Sequence, residues 1–297
     1  MDTNTELRTR TLERVIPALD TSDGAGVKLR RSIGRSPEMR VDPFLMLDEF
    51  SSENPDDYVA GFPPHPHRGF ETVTYMLDGH MRHEDHLGNR GELRSGGVQW
   101  MTAGRGIIHS EMPQQERGRM RGFQLWINLP AAEKMQPPAY RDVQPADIPV
   151  VTLADGVRVK VIAGSLQCGD STTTGPIRGG STAPLYFDVE LPVGGVFRHP
   201  VAASHNTFIY VYEGTGAVGP AGAERRLAPR AAGVLSAGEQ CEIRAADGGA
   251  RFILLAARPL GEPVAQYGPF VMNTHDEIRQ AIADYQAGRF GERAAAR

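Results

Sequence analysis

The stretch PPHPHRGFETV, residues 63–73, places two histidines one residue apart just before a β-branched run. In an extended chain the side chains alternate between faces, so His65, His67 and Glu71 would project to the same side. Gly69 lies between them and leaves room for the side chains around it. A His-x-His pair alone is more often a turn or a hydrogen-bonded polar pair than a metal site, so its surroundings must decide.

A second cluster lies about forty residues later, in QWMTAGRGIIHSEMP, residues 99–113. Here His109 and Glu111 are two residues apart and share a face if the segment is extended. A lone His-x-Glu is more often a solvated strand edge. Two antiparallel strands with opposed faces, however, could gather three histidines and one carboxylate around one ion. In a glycine-rich β setting the two clusters together favour a metal site.

The remainder of the chain predicts an all-β protein. The 34 glycines and 22 prolines indicate many turns, and short strands at this spacing imply a sandwich or a small barrel. Alternation between apolar and polar residues, with glycine-containing turns between the runs, is visible in FETVTYML (70–77), GFQLWINL (122–129), VRVKVIA (157–163), LYFDVEL (185–191), NTFIYVYEG (206–214) and RFILLAA (251–257).

Two segments are predicted to be helical. The first, AAEKM at 131–135, is short. The second, THDEIRQAIADYQAG at 274–288, begins with Thr274 and Glu277 spaced as a capping box and ends at Gly288, a residue suited to the helix C-terminus. Its apolar residues recur at helical spacing and form one stripe. We therefore expect a helix near the end of the chain.

The chain divides most naturally into two domains. A length of 297 residues allows either one large core or two domains of about 150 residues. The proline-rich stretch KMQPPAYRDVQPADIP, residues 134–149, lacks strand-like alternation and is typical of a connection. The predicted domains are therefore 1–135, which carries the metal site, and 136–297, which ends in the helix.

Charge and hydropathy exclude several classes of function. The net charge is −4, and the lysines and arginines are scattered, so no electrostatic footprint for nucleic acid is present. The N-terminal stretch is polar, and no run approaches the ~20 apolar residues of a membrane span. Cys168 and Cys241 show no C-x-x-C spacing, which suits a reducing compartment. The expected location is the cytoplasm.

The other histidines are weaker candidates for metal binding. GHMRHEDHLGN, residues 79–89, is predicted to be a polar hairpin with three exposed histidines: His80, His83 and His86. His199 and His205 have no His-x-His neighbour, so core or surface roles are expected for them. His275, near the start of the last predicted helix, is expected to be exposed.

Longer motifs carry a family resemblance. HPHRGFETVTYMLDG (65–79) and QWMTAGRGIIHSEMP (99–113) resemble the pirins, two-domain members of the cupin superfamily. DPFLMLDEF (42–50) and the segment from 262 to 291 are similar as well, so the resemblance covers most of the chain. It implies tandem jelly-roll β-barrels with a metal in the N-terminal barrel alone. Carried over by motif, the implied ligands are His65, His67, His109 and Glu111.

The resemblance also separates two carboxylates. Cupins generally take a carboxylate ligand from the position that Glu71 occupies, whereas the pirin pattern implies Glu111 instead. Glu71 would then be an outer partner of the ligating histidines, which usually donate their second N–H to a carboxylate or carbonyl. In the second half of the chain, LPVGGVFRHPVAASHNTFIYVYEG (191–214) lacks a His-x-His pair, and a metal-free barrel is expected there.

The implied ligand set favours catalysis. Three neutral imidazoles and one carboxylate leave a divalent ion with positive charge and, if it is octahedral, with two open positions. Nitrogen and oxygen ligands without a thiolate suit Fe(II), with Mn, Co, Ni or Cu as alternatives, and zinc is tolerated although it prefers four ligands. The pirin resemblance implies quercetin 2,3-dioxygenase activity on a phenolic substrate with O₂, with Glu111 as the first candidate base and Glu71 as the second.

Two alternatives remain open at the level of sequence. Pirins also resemble regulators that act by protein contact, as transcription cofactors or enzyme regulators, with the iron redox state as a switch. An acidic chain suits protein partners better than DNA. The third reading is a vestigial cupin in which the metal has only a structural role.

Overall fold

The structure is a computed structural model that describes residues 7–153 and 155–290. Short 3-10 turns lie at Pro37–Met39, Pro55–Asp57, Ala131–Glu133 and Pro145–Asp147, and the α-helix α1 spans His275–Gln286. The strands in chain order are β1 (Leu12–Pro17), β2 (Leu19–Asp23), β3 (Val27–Arg31), β4 (Phe44–Ser52), β5 (Phe62–His67), β6 (Phe70–Asp78), β7 (His80–Asp85), β8 (Arg90–Arg94), β9 (Val98–Thr102), β10 (Ile107–Pro113), β11 (Met120–Asn128), β12 (Ala139–Val143), β13 (Val150–Thr152), β14 (Arg158–Ala163), β15 (Ser165–Cys168), β16 (Ser171–Thr174), β17 (Leu185–Leu191), β18 (Val196–Pro200), β19 (Asn206–Val218), β20 (Arg225–Leu227), β21 (Ala231–Leu235), β22 (Gln240–Ala257), β23 (Ala265–Tyr267) and β24 (Phe270–Met272).

These elements confirm the all-β prediction and the helix near the end of the chain. Each of the predicted β-runs falls within or overlaps a strand, and α1 begins with the predicted capping box between Thr274 and Glu277. The short helical segment predicted at 131–135 is a 3-10 turn. Among the described residues, no helix has the length and apolar character that crossing a membrane requires.

The described chain forms two units whose boundaries differ from the predicted domains at both termini and in the middle, where the predicted connection at 134–149 contains β12 and the first unit runs to Pro145. The N-terminal unit contains Leu19–Pro145 together with the segment from Leu260 onward, and the C-terminal unit contains Ala146–Pro259 together with the segment up to Ala18. The segment after Leu260 belongs to the N-terminal unit because apolar side chains of β23, β24 and α1 pack with Ile108 of β10.

Two antiparallel sheets form the main body of the N-terminal unit, and β23 and β24 pair as a separate two-stranded sheet. One sheet has the order β12-β9-β6-β11-β4-β3-β2, and the other has the order β5-β10-β7-β8. Apolar residues from both sheets form one buried cluster, which is the arrangement expected of a sandwich or barrel. The cluster contains Val27, Leu29, Phe50, Tyr58, Met76, Met81, Leu93 and Met120.

Gly69 divides the segment that the sequence suggests is one strand. β5 ends at His67 and β6 begins at Phe70, and the two strands belong to different sheets. Gly69 has a φ of 88°, which is costly for residues with a side chain, and a Cβ there would lie 2.0 Å from the carbonyl oxygen of Val271. The alternation of faces therefore restarts after His67, so the predicted common face of 65, 67 and 71 is wrong.

The C-terminal unit has its own sheet and core. Its main sheet follows the order β1-β21-β19-β22-β17-β14-β13, with β18 paired to β22 and β20 paired to β19. β1 joins by antiparallel pairing with β21, which explains why the start of the chain belongs to this unit. Register shifts interrupt the long β19–β22 pairing, and its apolar faces line a core that includes Phe187, Phe197 and Phe252.

Candidate metal centre

The structure brings together three of the predicted ligands. β5 and β10 pair antiparallel with His109 directly opposite His65, so the two clusters meet as the sequence predicts. One ring nitrogen from each of His65, His67 and His109 lies within 4.8 Å of the others. His67 and His109 are buried and His65 is partly exposed. The three imidazoles therefore converge on one point at the edge of the buried interior.

The hydrogen bonds of the three rings leave ring nitrogens available to bind one common ion. The Nε2 atoms of His65 and His67 are 3.0 Å apart, and Nδ1 of His65 lies 2.8 Å from the carbonyl oxygen of Pro63. Nε2 of His109 is buried and has no hydrogen-bond partner among the described residues. A buried imidazole nitrogen without a partner is costly, and an ion bound between these nitrogens would satisfy all three. The residues present therefore fit a divalent metal.

The electrostatics of the site keep these imidazoles neutral. Burial, followed by the neighbouring imidazoles, lowers the pKa of His67 and of His109 well below the usual range. An imidazole binds metal in its neutral form, with a free lone pair on nitrogen. The protein thus holds the two buried histidines in the form that coordination requires, without competition from protons.

Glu111 lies on the same strand as His109 but not in the group of three nitrogens. A register shift between the two residues interrupts the pairing of β10 with β5. The Glu111 side chain is buried, with 4% exposure, and its Oε1 lies 2.9 Å from the Thr74 hydroxyl oxygen. Glu111 and Thr74 line the same cavity as His65 and His67. Its role as fourth ligand stays a prediction.

The structure places Glu71 elsewhere. Thr102 donates its hydroxyl to Glu71 at 2.7 Å, and burial, although opposed by hydrogen bonds from Thr102 and Trp100, raises the pKa of this carboxyl. Thr74 lines the cavity, and Glu71 is an odd number of residues away on β6, so it projects from the opposite face. No contact in the described residues connects Glu71 to the histidines, and the role expected for it as their outer partner finds no support.

His83 is the residue that the sequence interpretation placed wrongly. The sequence predicts an exposed residue, but His83 is only 2% exposed, and its Nδ1 lies 3.2 Å from Nδ1 of His109. On β7 it alternates with polar neighbours and sits opposite Glu111 of β10. The signal was present in the apolar Met81 two residues earlier, which shares the inward face. His83 therefore lies against His109, one of the predicted ligands, and burial lowers the pKa of His83.

The remaining histidines match their expected roles more closely. His86 and His275 are exposed, and His80 is partly exposed beside Glu92 at 2.5 Å. His199 is a core residue of the C-terminal unit, where it packs against Phe187 and burial lowers its pKa to about 4.

A cavity of about 600 Å³ opens beside the histidines. Its wall is largely apolar, with a few polar groups, which is the usual lining of a small-molecule site. His65, His67 and Glu111 form one part of the wall. The rest of the wall includes Leu29, Arg31, Met46, Asp48, Phe50, Phe62, Thr74, Gln124 and Trp126.

The segment after Leu260 helps to position β5, the strand that carries two of the predicted ligands. Arg68, next in the chain to His67, donates to Asp284 of α1 at 2.8 Å and to the carbonyl oxygen of Arg105 at 2.6 Å. The Arg68 guanidinium also lies 4.6 Å from the ring centre of Phe290. Pro269 of this segment accepts the Arg68 backbone N–H and lines the cavity. The sequence alone predicts this segment to be part of the other domain.

The buried side chain of Lys134 also connects the segment after Leu260 to the residues that follow β5. Its Nζ donates to the carbonyl oxygens of Gly69 at 2.7 Å and of Val271 at 3.1 Å, and to the side-chain oxygen of Asn128 at 2.5 Å. All three of its donors are thus used, and burial lowers its pKa to about 8. Lys134 thereby connects the backbone just after β5 to β24 and to the end of β11.

Comparison with known proteins agrees with this architecture. A family model described as Pirin matches residues 26–127, and one described as the pirin C-terminal cupin domain matches residues 186–291. A Pseudomonas aeruginosa protein named "Putative quercetin 2,3-dioxygenase" is 55% identical over 269 residues, which cover 90% of this chain and 93% of the relative.

Solved structures share the fold. The crystal structure of a quercetin 2,3-dioxygenase from Acinetobacter baumannii matches with a TM-score of 0.85 at 32% identity, over 95% of this chain and 99% of that one. A bacterial pirin from Escherichia coli, in complex with nickel(II), matches with a TM-score of 0.63 at 18% identity, over 83% of this chain and 98% of that one. The matched models, the sequence identity and the two β-units lead to one conclusion: this chain belongs to the pirin family of two-domain cupin proteins.

Proposed function

We propose that the N-terminal unit is the active site of a metal-dependent dioxygenase that cleaves a flavonol or a related phenolic with O₂. The observation that carries the proposal is the convergence of three imidazoles beside an open cavity of about 600 Å³. A structural metal site is normally closed by its four protein ligands, whereas a catalytic site keeps room for substrate. A cavity of this volume is within the range that holds small organic molecules.

His65, His67, His109 and Glu111 would hold the metal. Nitrogen and oxygen donors without thiolate favour Fe(II), and Mn, Co, Ni, Cu and Zn are alternatives that depend on supply. When bound, the ion would supply a Lewis acid for the substrate hydroxyl and a redox centre for reaction with O₂.

Glu111 is our candidate for the group that accepts the substrate proton. The hydroxyl of Thr74 is 2.9 Å from its Oε1, which leaves Oε2 to take a proton from a phenolic hydroxyl that enters the cavity. Thr74 fixes the orientation of the carboxylate during that transfer. We prefer Glu111 to the second candidate, Glu71, because the Glu71 carboxylate lies on the face of β6 that points away from the cavity and accepts a hydrogen bond from Thr102.

The apolar wall would bind and orient the aromatic rings. Phe50, Phe62 and Trp126 line the cavity, and they offer flat surfaces to a planar ligand while excluding water from the reacting atoms. The neighbouring Phe70 packs on Trp126 with ring centres 4.4 Å apart, which holds the indole in place. The names of the Pseudomonas and Acinetobacter relatives support a flavonol as the first substrate to try.

The test is turnover together with metal content. Anaerobic purification, metal analysis and O₂ uptake with a panel of phenolics should show flavonol-dependent uptake in the natural protein. His67→Ala should lose both the metal and the uptake. Activity that survives the loss of the metal would contradict the proposal. Bound iron with no turnover of any phenolic, together with retrieval of a protein partner in pull-downs, would favour the regulatory alternative.

A further inference from the structure

A row of polar side chains crosses the floor of the cavity. Arg31 of β3 is directly opposite Asp48 of β4, Asp48 is opposite Gln124 of β11, and Gln124 is opposite Thr74 of β6. Residues directly opposite one another in a sheet project from the same face. All four line the cavity, and the row ends at Glu111, whose Oε1 lies 2.9 Å from the Thr74 hydroxyl.

Apolar rows flank this polar row on both sides. Two residues along the strands in one direction, Leu29 pairs with Phe50. Two residues along in the other direction, Met46 pairs with Trp126. All four of these residues also line the cavity. A planar ligand on this floor would therefore place its rings on apolar side chains and its polar groups along the row.

The far end of the row carries an excess of negative charge. Arg31 donates to both oxygens of Asp48, at 2.8 Å and 2.7 Å, and also to Asp23 at 3.0 Å. One guanidinium thus faces two carboxylates, and Asp48 is only 2% exposed. A ligand carboxylate placed here would meet repulsion, whereas a hydroxyl could donate to a carboxylate oxygen.

The length of the row sets where that hydroxyl must be. Asp48 and Thr74 are separated by the single strand β11, which is two strand spacings or about 10 Å. An aromatic ligand bound through one oxygen beside Glu111 would reach Asp48 only with a second group at the opposite end of its ring system.

We propose that the row Arg31–Asp48–Gln124–Thr74 selects the substrate: it admits uncharged, planar aromatics with a hydrogen-bond-donating hydroxyl at the end remote from the metal, and it rejects those with a carboxylate there. The row has no counterpart in the predicted site, which contained only residues near the metal. The inference rests on the proposed function for the identity of the metal-bound end of the ligand.

Binding can test this selection apart from turnover. The full-length, metal-loaded protein is titrated anaerobically by calorimetry with 3,4′-dihydroxyflavone and with the matching 4′-carboxylate of 3-hydroxyflavone. Because burial raises the pKa of Asp48 to about 6, a buffer near pH 7 keeps most of it ionised while the 4′-hydroxyl of the probe stays mostly protonated. We expect the hydroxyl probe to bind at least about tenfold more tightly, the factor that one charge-assisted hydrogen bond supplies.

Variants on neighbouring positions separate selection from stability. Asp48→Asn should reduce the difference between the two probes to threefold or less, roughly, because it removes one negative charge and keeps the side-chain shape. Glu49→Gln is the matched control: Glu49 is the next residue on β4, equally buried and ion-paired with Arg121 at 3.1 Å, but on the opposite face. It should retain the full preference for the hydroxyl probe.

Each outcome separates this inference from the proposed function. Discrimination that depends on Asp48, in a protein that oxidises no phenolic of the panel, would support the row and overturn the dioxygenase proposal. Equal affinity for the two probes, or no binding of either, would overturn the inference even if flavonols are oxidised. A loss of preference in Glu49→Gln as large as in Asp48→Asn would also overturn it.

Discussion

A Cβ atom on Gly69 would lie 2.0 Å from the carbonyl oxygen of Val271, so the backbone of the ligand-bearing segment and that of β24 approach too closely for a side chain. Both residues also accept hydrogen bonds from the ammonium of Lys134. The close approach depends on glycine at a φ of 88°. This contact connects the segment after Leu260 to the residues just beyond His67.

Gly69→Ala should therefore push β24 away from the metal centre. We expect the free energy of unfolding, measured with urea, to fall by about 3 kcal/mol or more, because a backbone atom must move in addition to the strain of the positive φ. The matched control is Gly88→Ala, with a φ of 86° and nothing within 4 Å of the added atom. It should cost only about 1 kcal/mol. Equal losses in the two variants would contradict the close approach.

Thr74→Val should weaken metal binding without unfolding the protein. The substitution preserves shape but removes the hydroxyl beside Glu111 Oε1. Loss of a partner that orients a metal ligand typically costs 10-fold to 100-fold in metal affinity, roughly, and we expect that range for nickel(II) in a chelator competition.

Thr72→Val is the control for that experiment. Thr72 is buried on the same face of β6, two residues earlier, and no hydrogen bond joins it to Glu111 in the described part of the chain. It should leave nickel affinity within about twofold of the natural protein, which is within ordinary variation for a distant site. An unchanged affinity in Thr74→Val would mean that Glu111 does not depend on Thr74, and would weaken its assignment as a ligand.

His199 should make the C-terminal unit sensitive to acid. Its pKa is about 4 in the folded protein because of burial, compared with about 6.5 when unfolded. The unfolded state therefore binds the proton more readily, and stability falls as pH drops from about 6.5 to 4, by up to about 3 kcal/mol. His199→Leu should flatten this part of the profile of unfolding free energy against pH, whereas the exposed His275→Leu should not. A profile unchanged in His199→Leu would be the contrary result.

The histidine cluster could be predicted because the residue spacings that indicate it are local in the sequence. His-x-His and His-x-Glu spacings place side chains on one face of a strand, and antiparallel pairing then brings His109 opposite His65. The phase of a strand persists only while the strand continues. The bend at Gly69 interrupts the alternation of side chains between faces. Glu71, which the sequence predicts to face the histidines, is therefore hydrogen-bonded to Thr102 instead.

Other features depend on contacts that are distant in the chain. The segment after Leu260 belongs with the first half because Arg68 binds Asp284 more than two hundred residues away. Likewise, the polar row from Arg31 to Thr74 exists only through the order of four strands, β3-β4-β11-β6. No periodicity in the sequence encodes that order, so these parts of the site become visible only in the fold.

The most direct measurement of the central claim is the gas balance of flavonol turnover by the Fe(II)-reconstituted protein. If this metal centre is a quercetin 2,3-dioxygenase site, quercetin consumption, O₂ uptake and carbon monoxide release should rise together in equal amounts. His109→Ala, which lacks one of the three converging imidazoles, should show none of them. Stoichiometric iron with no carbon monoxide from quercetin, or carbon monoxide released equally by His109→Ala, would contradict the claim.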